Sequence, residues 1–195
     1  MKEKVCYLFV CNGFSDWEPA LAIANLKKHF HFIIRSFSLD GKPIRSMANL
    51  QIQPDCALRE VDAATTDLLL LPGGDIWEQG GNSEIAPLVK AMSDAQKTIA
   101  AICGSTVFMA NNGYLDSIEH TSNALPYLQK LAPNYKGEKL YQNKPCVTSG
   151  HIITANGAAM IEFAIAIFNK FEVEEPDFIE KISVLYKSGG MDYRF

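Results

Sequence analysis

Three short runs in this chain are apolar at nearly every position: Val5–Val10, Asp67–Leu71 after its first residue, and Thr98–Ile102. Continuous apolar runs of this length, bounded by turn residues, suit parallel strands covered on both faces. His31–Leu39 alternates instead and reads as a strand, closed by the turn Asp40-Gly41-Lys42-Pro43. Between these runs the period lengthens. A helix is predicted over Trp17–Lys28, with Asp16 as its cap and Pro19 in the first turn, where N–H groups lack partners. Ile85, Leu88, Val89 and Met92 fall at helical spacing. A further helix follows Thr98–Ile102 and stops at Asn112-Gly113. Asn123–Leu131 reads as another.

Cys146–Ser149 and Ile152–Ala155 read as two strands joined near Gly150-His151. Met160, Phe163, Ala164, Ile167, Phe168 and Phe171 mark a core-facing helix, and Phe178, Ile182, Leu185 and Tyr186 a last one. The stretch Ile44–Ala64 is weakly patterned and suits a short hairpin or an irregular excursion. Strands alternating with helices predict one α/β domain over residues 1–195, a three-layer α/β/α sandwich around a mainly parallel sheet. Residues 185–195 read as a C-terminal tail.

In such folds, sites form at the carboxyl ends of the strands. Three loops leave that edge. Thr98–Ile102 runs into Cys103-Gly104-Ser105-Thr106 and then a helix, the strand–turn–helix pattern of a nucleophile elbow. At a helix N-terminus, free N–H groups and the dipole favour a thiolate, whereas a buried cysteine acts as a small hydrophobe. Leu71-Pro72-Gly73-Gly74-Asp75 offers backbone N–H groups close to a reacting atom. The amides of Gly74 and Gly104 are candidates for holding an oxyanion formed by attack of Cys103 on a carbonyl, although a Pro-Gly-Gly is also an ordinary turn. Glu18, at the start of the first helix, either complements the helix dipole or exchanges a proton with the Cys103 sulfur. Asp75 and Trp77 are candidate pocket walls, with packing the alternative for the tryptophan.

Composition narrows the rest. A chain of 195 residues, 48% apolar and 21% charged, is that of an ordinary globular protein. A formal net charge of −4 gives no reason to expect nucleic acid or an anionic membrane as partner. The apolar runs are too short to cross a bilayer, and Met1-Lys-Glu-Lys-Val leads into a strand rather than a signal peptide. Five scattered cysteines fit free thiols in a reducing cytoplasm, with Cys6, Cys11 and Cys146 structural. No metal-ligand spacing is present, so no metal or organic cofactor is expected.

Asp16-Trp17-Glu18, Leu71-Pro72-Gly73-Gly74 and Ala101-Ile102-Cys103-Gly104, in that order, resemble the ThiJ/PfpI superfamily, with its class I glutamine amidotransferase-like, flavodoxin-like fold. His120-Thr121-Ser122-Asn123 and Ile153-Thr154-Ala155-Asn156-Gly157 with Glu162-Phe163 extend the likeness over about residues 4–171. The resemblance implies that Cys103 is the reactive cysteine, Glu18 its carboxyl partner, and Gly74 and Gly104 the oxyanion-hole amides. It also implies a homodimer. The chain departs from the family at two places. PfpI-type proteases carry a histidine directly after the nucleophile, where this chain has Gly104. Other branches carry one after the following strand, where Asn123 stands, and an amide is no general base. His120 is the nearest substitute, but a three-residue offset along a strand reverses its face. His151 falls in a turn, and His29 and His31 at the opposite edge.

Three functions follow as expectations. The first is a cysteine-dependent enzyme acting on a small carbonyl or amide compound, hydrolase or glyoxalase/deglycase-like. The second is a redox-sensing or stress-response protein built on an oxidisable Cys103. The third is a regulatory fold whose pocket has lost its chemistry.

Overall fold

In the computed structural model, which describes residues 3–171, 173 and 177–191, the apolar runs become the middle of a single sheet. Its strands are β1 (Lys4–Phe9), β2 (Phe32–Ser38), β5 (Cys56–Ala57), β6 (Leu68–Leu71), β7 (Thr98–Ile102), β8 (Cys146–Ser149) and β9 (Ile152–Ala155). They lie in the order β5-β2-β1-β6-β7-β9-β8. All neighbours are parallel except β8 and β9, which form an antiparallel hairpin at one edge. The remaining pair, β3 (Ile44–Arg45) and β4 (Gln51–Ile52), is an antiparallel hairpin outside the sheet. The weakly patterned stretch thus holds both a hairpin and the short edge strand β5.

The helices cover both faces. On one, α1 (Trp17–His29) packs on α6 (Met160–Phe168), which packs on α7 (Phe178–Lys187). Elsewhere α3 (Ala86–Asp94) and α4 (Ser105–Asn111) pack on β7, while α2 (Asp75–Glu78) and α5 (Leu125–Leu131) pack on α4. Coverage from both sides explains the unbroken apolar runs: all four leucines of β6 are fully buried. Burying one such side chain contributes roughly 1.5–3 kcal/mol. The last helix continues to Lys187, into the stretch expected as a tail; residues 192–195 of that stretch lie outside the described residues.

Asp16 does not cap α1 through its side chain. Its Oδ2 instead accepts the Ala48 N–H at 2.8 Å, tying the β3–β4 hairpin to the loop after β1. Gly13 N–H donates to the Arg45 carbonyl and Met47 N–H to the Phe14 carbonyl, bracing the same loop. The hairpin therefore holds in place the loop that delivers Glu18. Because β9 runs parallel to β7, the turn that follows β9 joins the loops after β1, β6 and β7 at the carboxyl edge.

Candidate active site

Cys103 follows β7 directly and adopts φ +59°, a left-handed conformation that costs a residue bearing a Cβ roughly 1–2 kcal/mol. Surrounding bonds enforce it. Its N–H donates to the Ala155 carbonyl at 3.0 Å, and its carbonyl accepts the Thr106 hydroxyl at 2.5 Å. The buried Ser105 hydroxyl accepts the Ile102 N–H at 3.0 Å and donates to the Leu71 carbonyl at 2.7 Å, fastening the end of β6 to the elbow. Residues strained in this way cluster at functional sites.

Glu18, on the first turn of α1, is fully buried. Its Oε2 accepts the Gly73 N–H at 2.6 Å, whereas Oε1 is buried with no hydrogen-bond partner. Two glycines define the space between this carboxyl and the sulfur. A Cβ on Gly73 would lie 2.6 Å from Cys103 Cβ and 2.9 Å from Glu18 Oε2. A Cβ on Gly157 would lie 2.8 Å from Cys103 Sγ and 3.2 Å from Glu18 Oε1. Only glycine leaves room for both functional groups.

Burial pushes the Glu18 carboxyl up to about 7, partly offset by the bond from the Gly73 N–H. Burial also pushes the Cys103 thiol up to about 11, and the Glu18 charge raises it further. The Asn123 side chain and the Gly104 N–H pull the other way. The two influences weighed for this cysteine act against each other: the Gly104 N–H at the start of α4 favours the thiolate, while burial and the adjacent carboxyl group favour the thiol. Two negative charges do not coexist in this space, so the pair holds a proton through the neutral range.

The other expected site residues divide. The Gly74 and Gly104 backbones touch, since a Cβ on Gly104 would lie 2.7 Å from the Gly74 carbonyl oxygen and 3.3 Å from its nitrogen. Asn123 reaches the nucleophile, with Nδ2 donating to Cys103 Sγ at 3.4 Å. His120 does not serve it. This imidazole is fully buried, with Nδ1 2.8 Å from the Ile118 carbonyl and Nε2 2.6 Å from the Tyr135 hydroxyl. Trp77 packs between Phe9 and Phe108 and donates to the Pro72 carbonyl at 2.9 Å, so it supports the glycine loop from the core instead of walling a pocket. Asp75 is exposed at the start of α2. His151 meets the Ser93 hydroxyl at 3.0 Å, near the amino end of β7.

Sequence reasoning gave no role to Gly73, Gly157, Trp17, Tyr127 or Glu78. Trp17, 44% exposed, donates its indole N–H to the Gly157 carbonyl at 3.3 Å and so stands at the rim. The Tyr127 hydroxyl donates to Glu78 Oε1 at 2.7 Å. Parallel pairing of β7 with a later strand was the signal that would have added Gly157, because it places the Asn156-Gly157 turn beside Cys103. Among the described residues, no group of three or more His, Cys, Asp or Glu gathers to hold a metal ion.

A doubly covered parallel sheet with a strained cysteine elbow beside a buried acid defines a class of α/β proteins. The DJ-1/PfpI family model matches residues 3–170, and the chain belongs to that family. It is 38% identical over 205 residues to the "Uncharacterized protease YoaZ" of Bacillus subtilis, covering 100% of this chain and 96% of that protein. The solved thiJ/pfpI family protein of Bacillus anthracis superposes with a TM-score of 0.88 at 36% identity, covering 97% of this chain and 92% of that one. A Caenorhabditis elegans protein named "Glutathione-independent glyoxalase DJR-1.2" is 28% identical over 137 residues, covering 69% of this chain and 70% of its own length.

Proposed function

We propose that this protein is a cysteine-dependent enzyme acting on a small carbonyl or amide compound, with Cys103 as nucleophile and Glu18 as its proton partner. One observation carries the reading: a buried carboxyl of pKa about 7, with one oxygen unpartnered, shares a glycine-walled space with a thiol on a strained elbow. A carboxyl near half-ionisation at neutral pH both accepts and returns a proton. As the sulfur–carbon bond forms, the thiol proton passes to the Glu18 carboxylate. The carbonyl π pair moves onto oxygen, where the N–H groups of Gly104 and Gly74 receive the charge. Return of the proton from Glu18 then neutralises the developing alkoxide or leaving group.

Asn123 beside the sulfur supplies hydrogen bonding without basicity. A small, reactive carbonyl makes smaller demands on such a site than a peptide bond does. That favours hydrolase or glyoxalase/deglycase-like chemistry on small molecules over proteolysis, although YoaZ is named a protease. The reading is completed by a homodimer in a reducing cytoplasm, supported by family membership and five free thiols. No helix among the described residues is long and apolar enough to cross a membrane.

The test is turnover of methylglyoxal and of a panel of small amides by wild type and Cys103→Ser. Activity in wild type that disappears in the variant supports the enzyme, and equal inertness of the two across the panel refutes it. The same amide in place of a base also favours a second reading, an oxidisable sensor thiol. Peroxide treatment followed by intact mass separates the two, since a sensor gains oxygen at Cys103 and shows no turnover.

A further inference from the structure

The Cys103 carbonyl and the Gly104 N–H belong to one peptide unit, so whatever fixes the first aims the second. No cis bond occurs among the described residues, and the two groups therefore point in opposite directions. A Cβ on Gly104 would lie 2.7 Å from the Gly74 carbonyl oxygen, so the close approach of the two loops demands glycine at 104. Glycine also takes left-handed backbone angles about as readily as right-handed ones, which leaves this peptide free to turn over. What holds it is a side chain one turn further on. The Cys103 carbonyl accepts the Thr106 hydroxyl at 2.5 Å, as well as the Thr106 N–H at 3.1 Å. Thr106 has one hydroxyl proton and that carbonyl takes it, so in the 2.6 Å contact with Ser122 the serine hydroxyl is the donor. Both side chains are buried, and Ser122 directly precedes Asn123, whose Nδ2 donates to the Cys103 sulfur at 3.4 Å.

We propose that Thr106 is a positioning residue for carbonyl chemistry at Cys103: its hydroxyl, braced by Ser122, locks the Cys103–Gly104 peptide with the Gly104 N–H facing the oxygen of the bound carbonyl compound. The assignment rests on the reading of Cys103 as nucleophile and of the Gly104 amide as one oxyanion donor. Among the described residues no backbone carbonyl takes the Gly104 N–H, so it is available to that oxygen. An oxyanion donor works by standing in place before charge develops. A peptide that turned over would present its own carbonyl oxygen to the anion instead. The Thr106 hydroxyl opposes that turn because its bond is buried, and breaking it strands two polar groups away from water. Ser122 also joins the two donors of the site, since one pair of hydroxyls ties the segment bearing Asn123 to the peptide bearing the Gly104 N–H.

The experiment compares two reactions of Cys103 in the full chain. One is turnover of methylglyoxal, or of whichever small amide in the same panel wild type consumes. The other is labelling by iodoacetamide at neutral pH, quantified on the Cys103 peptide by mass spectrometry. Labelling displaces iodide from a saturated carbon and puts no charge on a carbonyl oxygen, so it makes no use of an oxyanion donor. Thr106→Val, which removes the hydroxyl at nearly the same shape, should lower kcat by about 10²-fold, the lower end of the loss on removing one such donor. Labelling should slow by less than about tenfold, through the pull of the Gly104 N–H on the thiol. Ser122→Ala should act in the same sense by less, again more on turnover than on labelling. Thr106→Ser, which keeps the hydroxyl, should return both to wild-type values. Unfolding midpoints show which variants are folded, and Ser122→Ala carries the test if Thr106→Val is not. Unchanged turnover, or turnover and labelling that fall by one factor, overturns the positioning role and leaves the nucleophile in place. A folded wild type whose Cys103 labels but which consumes nothing in the panel overturns the enzyme reading, and the role of Thr106 with it.

Discussion

Glu18 accepts the Gly73 N–H through one carboxylate oxygen at 2.6 Å and leaves the other buried and unpartnered beside Cys103. This asymmetry separates two properties that usually move together in cysteine enzymes. The carboxylate charge suppresses the thiolate, yet its proton affinity is what the proposed reaction uses. Glu18→Gln should therefore label faster with iodoacetamide at neutral pH than wild type, because removing the charge lets the thiol pKa fall. Turnover of any substrate found should drop by about 10²–10⁴-fold, the usual contribution of a positioned acid–base group. Labelling that slows in step with turnover would contradict the pairing.

Gly157 has no left-handed φ, so its requirement is spatial. Gly157→Ala would put a methyl 2.8 Å from the sulfur, and Cys103 or Glu18 must give way. Overpacking of this kind costs about 1–3 kcal/mol. The unfolding midpoint should fall accordingly, and labelling of Cys103 should be lost or strongly slowed in the protein that remains folded. An unaltered labelling rate would show that the space beside the sulfur is not confined.

Cys103 at φ +59° carries backbone strain that the thiol requires and stability does not. Cys103→Gly relieves it, whereas Cys103→Ala keeps it and loses only the sulfur. We expect the glycine variant to be more stable than the alanine variant by about 1 kcal/mol in denaturant titration, the reverse of the usual order for these two residues. An alanine variant that is the more stable of the two would place the elbow in an unstrained conformation.

How far the sequence discloses this site depends on the kind of information each residue carries. Cys103 and Glu18 were legible because each sits at a strand-to-helix junction, and the apolar runs of β1, β6 and β7 mark those junctions by themselves. The fold class, though not the strand order, followed from alternation of strands and helices. Gly157 was not legible as a site residue: its role depends on β9 pairing parallel to β7, a contact between segments more than forty residues apart in the chain. Asn123 was visible only as a departure from histidine, and its donor role rests on the Gly157 N–H fixing the amide. Trp77 misled because a tryptophan after Gly-Gly looks the same whether it faces the pocket or the core. The balance at Cys103 between the helix terminus and burial was left open for the same reason, since burial is a tertiary quantity and the helix terminus a local one.

His120 tests the boundary between site and scaffold. Both ring nitrogens are engaged, by the Ile118 carbonyl and the Tyr135 hydroxyl, and burial lowers its pKa so that it stays neutral. His120→Ala should destabilise the fold by about 2–4 kcal/mol, through the cavity and the stranded hydroxyl. The pH profile of Cys103 labelling should stay as in wild type while the variant is folded. A displaced profile would return His120 to the site.

The buried carboxyl also leaves a signature in stability. Folding raises the Glu18 pKa from 4.5 to about 7, so the native state binds this proton more tightly than the unfolded chain does. The contribution is therefore fully present below pH 4.5, declines as pH rises between 4.5 and about 7, and is lost above that. The size of the shift corresponds to about 3 kcal/mol. Denaturant titrations of wild type and Glu18→Gln across this range isolate it from the other carboxyls, because those are common to both proteins. The stability difference, wild type minus variant, should fall by up to that amount between acid and neutral pH and then level off. A difference that stays flat, or that rises with pH, would mean that Glu18 is ionised and well solvated in the native protein, and the proton it is proposed to exchange with Cys103 would not be there at neutral pH.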